Sequence, residues 1–237
     1  MMQALRFKIG GKLAQFRRFY TNSSSLTYPI PPPTAVRGLL GAALGLGPEY
    51  AEFLKDHRFG IRPAKPWRHL MQTVNHLFIK NQGGRLDTKN LAGGEHTQIP
   101  VQFVAPKPPA ERVVYEILVV GPELETLRDA LLRPAYPLSL GPAYALASLE
   151  ALDEVAGKVD EGYAGPILGA FYLEALDRLR GPGGVRVLHD RFPIRLDQER
   201  RPLVVKDLGL EAEGRPLALN YRGPVFKSEA GVWALVG

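Results

Sequence analysis

Four prolines within five positions, Pro29 and Pro31 to Pro33, divide a basic aromatic segment from a glycine-rich apolar one in the run FRRFYTNSSSLTYPIPPPTAVRGLLGAALGL, Phe16 to Leu46. Proline fixes φ near −65° and has no N–H, so neither a helix interior nor a sheet ladder can pass through this stretch. The chain must arrive extended and start a new element afterwards. Thr34 is placed as the N-cap of a helix beginning at Ala35, with Val36, Leu39, Leu40 and Leu44 at core-facing spacing. Gly38, Gly41 and Gly45 each cost a helix interior about 1 kcal/mol relative to Ala. Close packing is the expected reason for Gly41 and Gly45, and anion contact is plausible from Thr34 to Gly38 at the helix N-terminus. Upstream, Arg17 and Arg18 lie between Phe16 and Phe19, with Tyr20 and Tyr28 around a Ser/Asn/Thr segment. Cations and ring faces are thus offered side by side, which suits nucleotides.

The charge distribution agrees with that pairing. Lys plus Arg minus Asp plus Glu gives 14 − 5 = +9 for residues 1–100 and 16 − 19 = −3 for the rest, summing to the net +6. A positive field confined to one half favours a polyanion or an acidic partner, and equally describes a solvated basic face. The chain of 237 residues has no cysteine, which excludes disulfides and thiolate chemistry and fits a reducing compartment. The longest apolar run, Leu39 to Leu46, is too short to span a bilayer, and Arg6 and Lys8 interrupt any signal-like start. A cytoplasmic protein without membrane contact is expected.

Leu5, Phe7 and Ile9 alternate with Arg6 and Lys8 as a first strand. After the helix, Trp67 to Ile79 reads as a strand leading into KNQGGRLDTKNLAGGEH, Lys80 to His96. Two glycine pairs there bracket a polar segment with Arg85 and Lys89, a basic finger of the length that is usually functional or disordered. Gln98 to Ala105 and Arg112 to Val120 follow, the latter apolar on both faces as in a central strand. Leu124, Leu127 and Leu131 mark a second helix that stops at Pro134. Tyr136 to Leu140 reads as another strand, and Ala145 to Ala156 fits helix composition and strand pattern alike. The order strand, helix, strand, strand, helix, strand is that of ferredoxin-like domains and of RNA-recognition modules. From Gly162 onward short apolar runs alternate with Gly, Pro and charged turns. The expectation is an α+β chain: a ferredoxin-like domain over residues 1–157 carrying a β-hairpin thumb at about 80–96, and a smaller, mostly β part over 158–237.

No phosphate-loop, dinucleotide or metal-site spacing is present, and no cofactor is expected. The five histidines are scattered, with no pair at helical ligand spacing. His96, beside the finger, is the best single candidate for metal-independent ribonuclease chemistry, but the plainer expectation for it is an exposed loop histidine or an RNA hydrogen-bond donor.

Three motifs, SLTYPIPPPTAVRGLLGAALGL at Ser25 to Leu46, TQIPVQFV at Thr97 to Val104 with VVYEILVVG behind it, and YPLSLG at Tyr136 to Gly141, resemble those of the Cas-five family. Members are RAMP-superfamily subunits of type I CRISPR surveillance complexes (Cascade). The resemblance covers about the first 145 residues, with RFPI at Arg191 to Ile194 a looser match. Pro142 departs from it, standing where the family commonly carries an arginine. The chain's length with its many Pro and Arg residues points to type I-B from a thermophile, and the resemblance implies a subunit that grips the 5′ handle of the crRNA. It also implies contact with the backbone subunit and the large subunit, and through them with target DNA. Carried onto this chain, Arg17, Arg18, Tyr20, Tyr28 and Arg37 become handle-binding candidates together with Thr34. Lys80, Arg85, Lys89 and His96 become the thumb. One branch of the family cleaves precursor crRNA without metal; a non-catalytic member is expected here, with that endoribonuclease as the alternative.

Overall fold

The computed structural model describes residues 2–77, 81–82, 85–86, 96–180, 185–197 and 199–237. Strands dominate it. In chain order the elements are β1 (Met2–Gly11), α1 (Pro33–Leu44), α2 (Tyr50–Phe53), β2 (Arg58–Pro63), β3 (Trp67–Leu77), β4 (Asn81–Gln82), β5 (Arg85–Leu86), β6 (His96–Pro106), β7 (Val113–Val120), α3 (Leu124–Leu132) and β8 (Ala147–Ile167). They continue with β9 (Phe171–Tyr172), a 3-10 turn at Leu173–Ala175, β10 (Leu176–Leu179), β11 (Val187–Leu196), β12 (Pro202–Glu211), β13 (Leu217–Ser228) and β14 (Gly231–Ala234).

The main sheet runs β10-β13-β8-β1-β7-β2, with β14 paired to β13. Each of the four strands β8, β1, β7 and β2 is antiparallel to its neighbour. The alternation in β1 sets which face is covered: Leu5, Phe7 and Ile9 enter the main core with Tyr115 and Ile117 of β7, Val36 and Leu40 of α1, and Leu127 and Leu131 of α3. Each such large apolar side chain stabilises the fold by about 1.5–3 kcal/mol. β7 is buried at every position, as its two-faced apolar pattern predicts. Its second face meets a smaller cluster built by Trp233, Phe226 and Leu235.

The opposite face of the sheet also carries an ion network. Glu116 is buried and accepts from Arg62 Nε at 2.7 Å, while Arg6 approaches it at 3.8 Å and reaches Asp153 at 3.1 Å. Arg62 also lies over the Trp233 ring, 5.3 Å from its centroid. These two cations of the basic half are neutralised inside the sheet.

Several expectations are corrected. Trp67 to Leu77 is a strand, but it pairs with β6 in a separate two-stranded ladder from Trp67↔Pro106 to Leu77↔His96. The strand beside β7 is Arg58–Pro63, a short stretch whose Phe59 and Ile61 are buried and whose Gly60 and Pro63 hide its β character. Tyr136 to Leu140 forms no strand: it makes the isolated bridge Ser139↔Leu146 and single backbone bonds to Ala42 and Gln15, and Pro137 removes a ladder donor. The place beside β1 is taken by β8, so the ambiguous Ala145 to Ala156 stretch resolves as strand from Ala147 on. Residue 157, the expected domain limit, lies mid-strand in β8, whose second half pairs with β13.

Thr34 does not cap α1. Pro32 is the N-cap and Pro33 the first helical residue, where a missing N–H costs nothing, and Thr34 lies inside the first turn. The finger lies mostly outside the described residues. Lys80 and Lys89 are not among them; of Arg85 and His96 only the backbone is placed, in β5 and at the start of β6.

Candidate nucleic-acid interface

The arm between β1 and α1 folds back on itself. Arg17 bridges Thr27, Tyr28 N–H donates to the Phe16 carbonyl at 2.9 Å, and Arg18 N–H donates to the Leu26 carbonyl at 2.9 Å. A turn at the tip is closed by Thr21, whose hydroxyl donates to the Arg18 carbonyl at 3.0 Å. Asn and Ser residues permit such local turns, and here they free the tip side chains to point outward. Arg17, Phe19 and Tyr20 are exposed, and the Phe19 and Tyr20 rings meet edge to face at 5.2 Å.

This arm is stitched to the β3–β6 hairpin. Ala14 exchanges backbone bonds with Val104 at 3.0 and 2.8 Å, Ser25 N–H donates to the Pro100 carbonyl, and Gln102 N–H donates to the Ser25 carbonyl, both at 2.9 Å. Two amides add to it: Gln102 Oε1 accepts from Thr27 N–H at 3.2 Å, and Gln15 Nε2 donates to Ser25 Oγ at 2.9 Å. Arm and hairpin base are therefore joined through backbone bonds at two isolated bridges, Ala14↔Val104 antiparallel and Ser25↔Val101 parallel.

Tyr28 and Arg37 do not face a ligand. Tyr28 is fully buried, its ring stacked on Phe192 at 4.4 Å and its hydroxyl donating to the Arg191 carbonyl at 2.6 Å. Burial, helped by the Asp190 charge, pushes its phenol far above the usual range. Arg37 is 5% exposed and distributes its guanidinium over three carbonyls: Leu54 at 3.0 Å, His57 at 3.0 Å and Ile194 at 2.8 Å. The guanidinium also lies over the Phe59 ring at 5.1 Å, and burial pulls its pKa down to about 10, still cationic at neutral pH. The proline run thus drives Tyr28 into the core instead of bracketing an open channel. Both residues tie α1 and the arm to β11.

Arg18 and Tyr20 remain at the surface and converge on Asp190 of β11, a residue the sequence reading does not single out. Arg18 Nη2 meets Asp190 Oδ2 at 3.0 Å and its guanidinium sits 5.9 Å from the Tyr28 ring centroid. Tyr20 donates its hydroxyl to Asp190 Oδ1, and burial together with that carboxylate raises the phenol to about 12. His69, on β3, completes the neighbourhood. Its ring packs edge-on against Trp67 at 5.1 Å, and Trp67 Nε1 donates to the Ala212 carbonyl at 2.8 Å. Partial burial, with Arg18 and Arg186 nearby, lowers the His69 pKa. The arm tip, the base of the hairpin and β11 therefore meet in one place, with guanidinium donors, a phenol and exposed rings. The one sequence signal for β11 was RFPI, directly after Asp190.

The α1 glycines divide. A Cβ on Gly41 would stand 2.6 Å from Tyr50 Cβ, so packing of α2 explains it; Gly45 closes the helix in the left-handed region at φ 74°. At Gly38 no described atom lies within 4 Å of where a Cβ would be. His57 is a core residue, with Nε2 2.9 Å from the Pro122 carbonyl. Among the described residues no group of three or more His, Cys, Asp or Glu side chains could hold a metal, and no helix is long and apolar enough to cross a membrane.

A family model described as CRISPR-associated protein (Cas_Cas5) matches residues 4–206. Among solved structures, the chain resembles a CRISPR protein from Archaeoglobus fulgidus with a TM-score of 0.62 at 14% identity, over 99% of both chains. It also resembles a chain of a CRISPR RNA-guided surveillance complex with a TM-score of 0.53 at 15% identity, over 91% of both chains. At these identities the likeness is one of fold. No curated protein matches the sequence.

Proposed function

The chain belongs to the CRISPR-associated Cas_Cas5 family, and from that premise we propose that it is a non-catalytic subunit of a CRISPR surveillance complex that holds the 5′ handle of the guide RNA. The observation that carries this reading is the convergence of the arm tip, the β3–β6 hairpin and β11 around Arg18 and Tyr20. Single-stranded RNA held in one shape needs its phosphates neutralised and a few bases stacked, and this cleft offers both kinds of group. In this reading Arg17, Arg18, Tyr20 and His69 line the base of the site. Lys80, Arg85, Lys89 and His96 belong to the hairpin acting as a thumb. The strand order β8-β1-β7-β2, with α1 and α3 packed against the face that carries Phe7 and Ile117, supports a ferredoxin-like core behind it. In this reading the sheet face opposite these helices is not the RNA platform, since Trp233, Phe226 and Leu235 pack against part of it.

The backbone subunit and the large subunit of the complex are the proposed protein partners, with target DNA engaged through them. Copurification from cells carrying the guide array tests the reading: guide RNA with this chain at its 5′ end is expected, and recovery of the subunit without RNA would count against it.

A second reading has one observation in its favour. The His69 pKa is lowered and its imidazole shares a neighbourhood with the Arg18 guanidinium, an arrangement suited to taking a proton from an RNA 2′-hydroxyl. Incubation with repeat RNA in the presence of a chelator decides between the two. A specific cut, lost in His69→Ala, would replace the non-catalytic reading.

A further inference from the structure

Asp190 is saturated by its surroundings. Oδ2 faces Arg18 Nη2 at 3.0 Å, and Oδ1 accepts from the Tyr20 hydroxyl and from Arg191 N–H at 2.7 Å. The Asp190 side chain is 13% exposed and that of Arg18 is 24% exposed, so the contact is partly shielded from solvent. The two side chains it engages, a guanidinium and a phenolic donor, are groups that recognise a phosphodiester. Like a bridging phosphate in RNA, the carboxylate carries one negative charge and presents two oxygens side by side. Arg18 Nε is also shielded and has no partner among the described residues, leaving one donor of the fork unused. The arm tip makes its remaining close bonds to itself, through Arg17 to the Thr21 carbonyl at 3.1 Å and through the Thr21 turn. The bonds to Asp190 are what hold it against β11.

We propose that Asp190 is an intramolecular competitor for RNA, occupying in the free protein the position between Arg18 and Tyr20 that an RNA phosphate takes in the bound one. Resting on the RNA-binding reading, this adds a regulation of the same site. The closed arm suppresses binding of stray polyanions, and only a strand that makes enough further contacts along the hairpin displaces the carboxylate.

Asp190→Asn tests it, since Asn keeps an Oδ1 acceptor for Arg191 N–H and Tyr20 while removing the charge and the Oδ2 acceptor that Arg18 uses. Two like charges about 5 Å apart in a water-like medium repel enough that removing one is worth about four-fold in affinity. Freeing Arg18 to release a counterion steepens the log–log salt dependence on single-stranded RNA by about 0.7. Anisotropy titration of oligouridine should therefore show Asp190→Asn binding several-fold tighter with a steeper salt slope, and in an Arg18→Ala background the same substitution should gain less and leave the slope unchanged, since only the repulsion is then removed. In the free protein, the Arg18 and Thr21 amides should exchange faster in Asp190→Asn. The same is expected in Tyr20→Phe, which removes one latch bond from an exposed residue. Unchanged or weaker oligouridine binding by Asp190→Asn would overturn the proposal, as would unchanged arm exchange in both variants. If neither wild type nor Asp190→Asn binds oligouridine at low salt, the RNA reading fails, and amide exchange alone decides whether Asp190 latches the arm.

Discussion

The Tyr28 hydroxyl donates to the backbone carbonyl of Arg191 across a separation of 163 positions, at 2.6 Å. With the ring stacked on Phe192, this fastens the arm to β11 and makes Tyr28 a structural residue. Tyr28→Phe leaves the Arg191 carbonyl without that donor and should cost about 1–3 kcal/mol, while Tyr28→Ala should cost about 3–5 kcal/mol. Urea unfolding gives both values. RNA affinity of Tyr28→Phe, measured under conditions where it is folded, should equal that of wild type.

Arg37 makes a second long-range fastening, and its loss should be read in stability. Arg37→Met removes the donors for three buried carbonyls, so unfolding free energy should fall by about 2–4 kcal/mol. The salt dependence of RNA binding should not change. A shallower slope in a folded Arg37→Met protein would place Arg37 at the RNA after all.

The α1 glycines predict opposite signs. Gly38→Ala meets open space and gains helix propensity, which should stabilise the protein by roughly 0.5–1 kcal/mol. Gly41→Ala drives a methyl into Tyr50 and should lower the melting temperature. If the more stable Gly38→Ala protein then assembles poorly with RNA or with the other subunits, a partner approaches α1 at that position.

Stability should depend on pH chiefly through His57, which is fully buried, with a smaller part from the more exposed His69; burial holds both below the ordinary 6.5, with Arg37 adding to the effect at His57 and Arg18 and Arg186 at His69. The unfolded chain then binds protons at a higher pH than the folded one. Their contribution is fully present above 6.5 and is lost as pH falls through the folded-state values. Urea midpoints should therefore drop as pH falls below about 6.5, and His57→Gln should flatten part of that drop. A pH dependence that His57→Gln leaves unchanged would contradict a buried neutral imidazole at His57.

What was legible in the sequence was local. The alternation in Leu5, Phe7 and Ile9 and the unbroken apolar run of β7 report burial directly, so the central strands could be read. β2 could not, because Arg58 to Pro63 is short and carries a glycine and a proline, and β8 could not, because Ala, Leu and Glu suit a helix as well as a strand. The arm was recognisable as basic and aromatic, yet the sequence could not rank its members. Tyr28 and Arg37 are buried by β11, whose place beside the arm and α1 is set by pairing with β12 and by Phe192 and Ile194 entering the core. Asp190 escaped notice for the same reason: a lone carboxylate acquires meaning only when Arg18 and Tyr20 are folded onto it.

The central claim is that the arm tip contacts RNA, and one titration tests it most directly. Binding of the repeat-derived 5′ segment of the guide RNA is measured across salt concentrations for wild type and for the Arg17→Ala/Arg18→Ala variant. Weaker binding is expected, with a salt slope shallower by about one. Equal affinity and equal slope in a folded double variant would contradict the account.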